Sequence, residues 1–270
     1  MAELADLQAL RAYECRLTPD RALQTIDEAH EFLCLRGMLT RTADCSLPSL
    51  FEACHEEPYQ QGGRGFASWP ATKWSWAGEL AERDGVFLLQ VHRGQNLLVT
   101  PQTLMLIDPI CRAELARMEQ EDPGWGRLLG FLAQAGPSMT EDIELELGLS
   151  ARELKALRTP LERCGAVVGR QVVLPAASGG GHVHRSELAR WDQAFPAHGQ
   201  AVQAGQDGKD AKADLASLLA AAVAAAVLAE ERELIRWFSW RWLYPPGLVD
   251  RMVQDGQIRR PAPGWVAAPG

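Results

Sequence analysis

The sequence predicts a mainly α-helical protein with small β-hairpins, an α+β class built from recurring helix–helix–hairpin stretches. Three observations lead there. Helix-capping residues stand ahead of apolar runs at helical spacing, glycines follow those runs, and short apolar strands come in pairs around turn residues. With 270 residues, 47% of them apolar and 9 of them Trp, the chain is long enough for two domains or several small units.

The first region runs over residues 1–107. In "TPDRALQTIDEAHEFLCLRGML", Thr18 stands as N-cap with Pro19 at the first helical position. Leu23, Ile26, His30 and Leu33 recur at helical spacing, and Gly37 ends the run. "LPSLFEACHEE" reads as a second short helix and "QQGGRG" as a loop. "FASWPATKWSWAGELAERDG" is Trp-rich and ends in a helical turn. "VFLLQVHRGQNLLVT" reads as a hairpin turning at His92 to Gln95.

The second region, 108–192, has the clearest pattern. "WGRLLGFLAQAG" is a short amphipathic helix, and Ser138 with Glu141 has capping-box spacing ahead of a helix that stops at Gly148. Ser150 and Glu153 repeat that spacing, so a third helix begins at Ala151. "AVVGRQVVL" and "GHVHR" then pair around "PAASGGG". Three helices followed by a hairpin is the order of a winged helix. Residues 193–213 are small and polar and read as a linker. In the third unit, 214–270, a long helix runs from Leu215 to about Trp242. A short helix at "PPGLVDRMVQDG" and a smaller hairpin at "QIRRPAPGWVA" follow.

The net charge of −8 and a pI near 5.3 exclude a generally basic coat but leave room for a local basic face. Residues 1–60 carry 5 Lys/Arg against 11 Asp/Glu, whereas residues 231–260 carry 6 against 4. Six scattered cysteines with no CxxC pair, and an acidic first segment without an apolar core, predict a reducing, cytoplasmic setting. "LASLLAAAVAAAVLA" is too short and too Ala-rich to span a bilayer, so no membrane partner is expected.

On a helical wheel of Leu149 to Gly165, Leu154, Leu157, Leu161 and Cys164 form one apolar arc. Arg152, Lys155, Thr159 and Arg163 gather opposite, with Arg158 and Glu162 at the edges. A DNA-reading helix has this arrangement, apolar toward the core and long cationic side chains toward phosphates; a merely solvated face has it too. Pro160 removes one backbone donor and is expected to bend the helix, with Thr159 and Glu162 able to cap a fresh turn so that two short pieces are an option. Arg170 adds a charge on the wing. The acids Glu141, Asp142, Glu144 and Glu146 lie on the preceding helix, and between Gly124 and Val173 positive and negative charges balance at 6 each. Binding is therefore expected to be weak to moderate.

Trp74 and Trp76 are base-stacking candidates, although such tryptophans are more often core residues of a small domain. "RWFSWRW", Arg236 to Trp242, is a protein-partner candidate in which most of the rings are expected to pack. Neither Cys54–His55 nor His182-x-His184 has a second ligand pair, so no metal is expected. No cofactor is expected either, since phosphate-loop, dinucleotide and GxSxG motifs are absent from the sequence.

Four segments carry a resemblance: "FLCLRGMLTRTADCSLPSLFEACHEE", "GWGRLLGFLAQAGPSMTEDIELELGLSARELKALRTPLERCGAVV", "SELARWDQAF" and "LIRWFSWRWLYPPGLVDRMVQDGQIRRPAPGW". Spread over about half of the chain, they resemble the AlkZ/YcaQ superfamily of winged-helix DNA glycosylases. More closely, they resemble the AlkZ-related winged-helix proteins that lack the catalytic Gln-x-Gln motif. The resemblance implies tandem winged-helix units around a DNA-sized channel. The enzymes of that group excise alkylated or crosslinked bases, and a Gln-x-Gln or Gln-x-Asp positions their attacking water. At the matching place in "LRGMLTRTAD" stand Thr40 and Thr42, which lack a carboxylate's basicity and an amide's reach, so no catalytic residue is carried over.

The expectation is thus a DNA-binding protein, for double- or single-stranded DNA, without glycosylase chemistry. Two alternatives stay open: an active glycosylase using other residues, with Asp44 and Glu79 as candidates, and a protein-interaction scaffold using 236–242.

Overall fold

The computed structural model describes residues 2–175, 182–196 and 210–269. It is mainly α-helical with three small antiparallel sheets of three strands each. After an N-terminal helix, α1 (Ala2–Glu14), come α2 (Ile26–Arg36), β1 (Met38–Thr40), α3 (Trp76–Ala81), and the hairpin β2 (Phe87–His92) and β3 (Gln95–Val99). The long helix α4 (Pro101–Glu121) leads to α5 (Pro123–Ala135), β4 (Ser138–Met139), α6 (Thr140–Leu147), α7 (Ala151–Cys164), and the hairpin β5 (Val167–Pro175) and β6 (His182–Arg190). After α8 (Trp191–Ala194) come α9 (Asp210–Ala226), β7 (Leu228–Glu230), α10 (Leu234–Trp237), α11 (Leu248–Gln254), and the hairpin β8 (Arg259–Ala262) and β9 (Trp265–Ala267).

One connectivity recurs three times. A helix leads into a strand of two or three residues, helical turns follow, and a hairpin returns so that its second strand pairs with the short one. The registers are Met38 opposite Val99, Ser138 opposite Leu188 and Leu228 opposite Ala267. The short strands, of two or three residues, are too brief to show an alternating pattern in the sequence.

Several sequence expectations need correction. Pro19 opens only a 3-10 turn at Pro19–Arg21, and the helix starts after Thr25, whose hydroxyl accepts from the Glu28 N–H. Ser138 belongs to β4 and does not cap α6, because pairing with Leu188 claims its backbone. The third-unit helix does not reach Trp242: α9 ends at Ala226, where Val227 takes φ +66 and the chain enters β7. Pro160 does not split α7, which runs unbroken from Ala151 to Cys164.

The boundary expected at 107/108 falls inside α4. Leu104, Ile107, Ile110, Cys111, Leu115 and Met118 of α4 are buried with Leu128 and Leu132 of α5, Leu154 and Leu161 of α7, and Leu218 and Val223 of α9. The second and third blocks, with Met38, Leu89, Val91, Leu97 and Val99 of the first, therefore share one core with α4 as its axis. Two carboxylates of α4 are buried there as well. Asp108 accepts from Trp191 Nε1 at 2.7 Å and from Arg112, and Glu114 accepts from Trp242 Nε1 at 3.0 Å. The N-terminal block has its own core around Phe32, Leu33, Phe51, Trp76 and Leu80. Helix α1 packs Leu4 and Leu7 on Leu228, Trp265 and Ala267 of the third sheet.

The ends of the expected linker are helical, in α8 and α9, while 197–209 and the expected wing tip at 176–181 lie outside the described residues. No helix among the described residues is long and apolar enough to cross a membrane.

Candidate nucleic-acid interface and the Asp44 cluster

Helix α7 forms where the sequence places it. The Ser150 hydroxyl accepts from the Glu153 N–H, and the Glu153 carboxylate accepts from the Ser150 N–H at 2.8 Å, so the capping box is complete. Gly165 ends the helix at φ +83, and a Cβ there would stand 2.2 Å from Cys111 Sγ on α4. Only a glycine lets the helix end press so closely on that axis.

Arg152, Lys155, Thr159 and Arg163 are exposed on the face opposite Leu154, Leu161 and Cys164, as the wheel predicts. Among the described residues, Arg152, Lys155 and Arg163 enter no ion pair. Arg112, Arg117, Arg190, Arg259 and Arg260 are each paired with a carboxylate. The face differs from expectation in four ways. Glu162 is buried instead of at the edge, and lies against Gly169 of β5. Burial pushes its carboxyl above the ordinary range, only partly offset by the Arg158 charge. Half-buried Arg158 thus faces that acid as well as solvent. The Thr159 hydroxyl donates back to Lys155 O at 2.7 Å and is turned along its own helix. Arg170 is tied across the hairpin to Glu187 at 2.5 Å, which neutralises much of its value to a phosphate.

The aromatic candidates separate. Trp74 is 48% exposed and meets Phe66, itself 67% exposed, edge-on at 5.1 Å. Trp76 is 8% exposed, a core residue beneath Lys73, and is withdrawn as a stacking residue. In the 236–242 segment, Trp237, Phe238 and Trp240 are buried, leaving Arg236, Arg241 and Trp242 outward. Trp240 Nε1 donates to Cys164 O at 2.9 Å, which fastens this segment to the last residue of α7.

Beside that end of α7 is a polar cluster that sequence reasoning did not assemble. Asp44, from the loop after β1, accepts from His92 Nε2 at 3.0 Å and from Gln95 Nε2 at 2.9 Å, and is ion-paired with Arg93. Burial alone would raise the Asp44 carboxyl, but the His92 hydrogen bond and the charges of His92 and Arg93 outweigh it and hold the group below its ordinary value. His92 is fully buried, and its Nδ1 sits 2.5 Å from Trp237 O. Cys45 completes the group: Asp44, Cys45 and His92 present ligand atoms within 4.8 Å of one another. The signal was present only as isolated letters, because residues 44–45 and 92 meet through the pairing of β1 with β3.

Thr40 and Thr42 are buried, and the Thr40 hydroxyl donates to Pro48 O. Glu79 is exposed on α3 and accepts from the Ser75 hydroxyl at 2.5 Å, and among the described residues it enters no ion pair. The two glycosylase candidates, Asp44 and Glu79, are thus not one site: Asp44 is held by three side chains and Glu79 stands on a separate helix.

No protein-family model, curated protein or solved structure matches this chain.

Proposed function

We propose that this is a DNA-associated protein of tandem winged-helix units that binds the phosphate backbone through α7 and carries out no base excision. The observation that carries the reading is the face of Arg152, Lys155 and Arg163, exposed and free of ion pairs on a chain whose net charge is −8. Three exposed cations on one helix face with no acid paired to them suit a polyanionic partner. The threefold recurrence of helix, short strand, helical turns and hairpin supports the winged-helix reading. In such a unit α7 occupies the reading position. The acids of α6 and the Arg170–Glu187 pair limit affinity, so binding is weak to moderate and carried by phosphates rather than base edges.

The test is fluorescence anisotropy with a short duplex and a single strand, titrated at low and then moderate salt. Micromolar binding that fades with salt is expected, because phosphate contacts release counterions. The pair Lys155→Glu and Arg163→Glu should abolish it without unfolding the chain. Unchanged binding in that variant rules out the α7 face. A protein partner at 236–242 is favoured by one observation, the 53% exposure of Trp242. Association insensitive to salt and lost in Trp242→Ala would select that reading.

A further inference from the structure

We propose that Asp44, Cys45 and His92 form a binding site for one divalent, borderline-soft transition-metal ion of the Zn²⁺ or Co²⁺ type. The three residues offer a carboxylate oxygen, a sulfur and an imidazole nitrogen, the donor set that zinc accepts at distances of about 2.0–2.3 Å. Their ligand atoms already lie within 4.8 Å of one another. Three protein donors leave a fourth tetrahedral position for water.

The surroundings are those of a metal site. His92 is buried and fixed by its other nitrogen: Nδ1 donates to Trp237 O, which sets the ring plane and points Nε2 at the cluster. An outer carbonyl of this kind orients metal-binding histidines and makes the ligating nitrogen more basic. Gln95 Nε2 holds Asp44 Oδ2 at 2.9 Å in the same way. Hard oxygen-only cations such as Mg²⁺ or Ca²⁺ are disfavoured by the sulfur and the nitrogen.

A cation already stands at the mouth of the site. The Arg93 guanidinium pairs with Asp44, and its Nη2 is 3.3 Å from His92 Nε2. It competes directly with a metal for these donors. Its seat is incomplete, since Arg93 Nε is buried without a hydrogen-bond partner. Binding then runs as an exchange. The ion accepts lone pairs from Asp44, from His92 Nε2 and from Cys45 Sγ; the thiol and the imidazolium Nε2 each release a proton to solvent, and Arg93 swings off Asp44. A thiol ligates as the thiolate, so the metal must displace the Cys45 proton and binding should tighten as pH rises.

The full chain, reduced and stripped with chelator, is titrated with Co²⁺ and followed by absorption. A thiolate-to-cobalt charge-transfer band and tetrahedral ligand-field bands saturating at one ion per chain are expected, with Zn²⁺ erasing both. Cys45→Ser should lose the charge-transfer band, whereas Cys34→Ser, which alters an exposed thiol on α2, should keep it. Arg93→Ala should tighten Co²⁺ binding by about tenfold or more, because a like charge a few ångströms away is removed. Circular dichroism confirms that each variant is folded. No charge-transfer band in the wild type, a band that survives Cys45→Ser, or unchanged affinity in folded Arg93→Ala would each overturn the proposal.

Discussion

Gly94, at the turn of the first hairpin, rests on the aliphatic stem of Arg163: a Cβ on this glycine would stand 2.9 Å from Arg163 Cγ. The N-terminal hairpin is thereby seated on the last turn of α7, and Ser239 N donates to Val91 O on the same hairpin at 2.9 Å. Three parts of the chain meet at this point. Gly94 also has φ +77. Gly94→Ala is expected to cost about 1–3 kcal/mol, from left-handed strain plus the contact with Arg163. Urea unfolding measures it, and an unchanged midpoint would show that the hairpin is not seated on α7.

Removing the cap of α7 loosens the turn that carries Arg152. Ser150→Ala should destabilise the protein by about 1 kcal/mol through loss of the bond to the Glu153 N–H. The same urea assay reads it. A loss confined to Ser150→Ala, with Ser138→Ala much milder, would distinguish the real cap from the one that spacing alone suggested.

The two tryptophans of "KWSW" should respond oppositely. Trp76→Ala empties a core position beside Leu80 and should cost about 3–5 kcal/mol. Trp74→Ala removes an exposed ring and should stay within about 0.5 kcal/mol. Similar losses in both would contradict the burial difference.

Glu162 gives a pH signature. Its carboxyl titrates above its ordinary value in the folded chain because burial penalises the charge. The stability it contributes is therefore fully present below the unfolded value of about 4.3 and is lost as pH rises through the folded value. Glu162→Gln cannot ionise. Its melting temperature relative to the wild type should rise between about pH 4 and about pH 7. A difference constant across that window would mean that Glu162 carries no burial penalty.

Local signals in this chain were readable and topological ones were not. Ser150, Glu153 and Gly165 announce α7 because caps and stops act within a few residues, and Gly37 and Gly148 do the same for α2 and α6. The hairpin turn at Arg93–Gly94 was legible for the same reason. Helix α4 was not recognised although Leu104, Ile107, Cys111, Leu115 and Met118 keep helical spacing, because Pro109 interrupts the run. The end of α9 lacks even that kind of mark. Ala and Leu favour continuing the helix, and pairing of Leu228 with Ala267 stops it instead. Within the site, the cationic face of α7 followed from periodicity. The burial of Glu162 and the pairing of Arg170 with Glu187 depend on β5 and β6, which no wheel contains. The Asp44–His92 contact joins residues 48 apart and needs β1 to fold beside β3.

Helix α1 has a consequence for the chain as a whole. Its packing on the last sheet, with Glu3 paired to Arg259, makes neighbours of the two ends of the sequence. The path of the backbone is close to a loop, so the linear order of the three blocks is not itself a requirement of the architecture. A rearranged gene that joins Pro269 to Ala2 through a short Gly/Ser bridge and opens the chain at the exposed Gly62 would encode the same set of contacts in a different order. Appendages fused at either end would emerge from one patch of surface, that of α1 and the third sheet, rather than from α7.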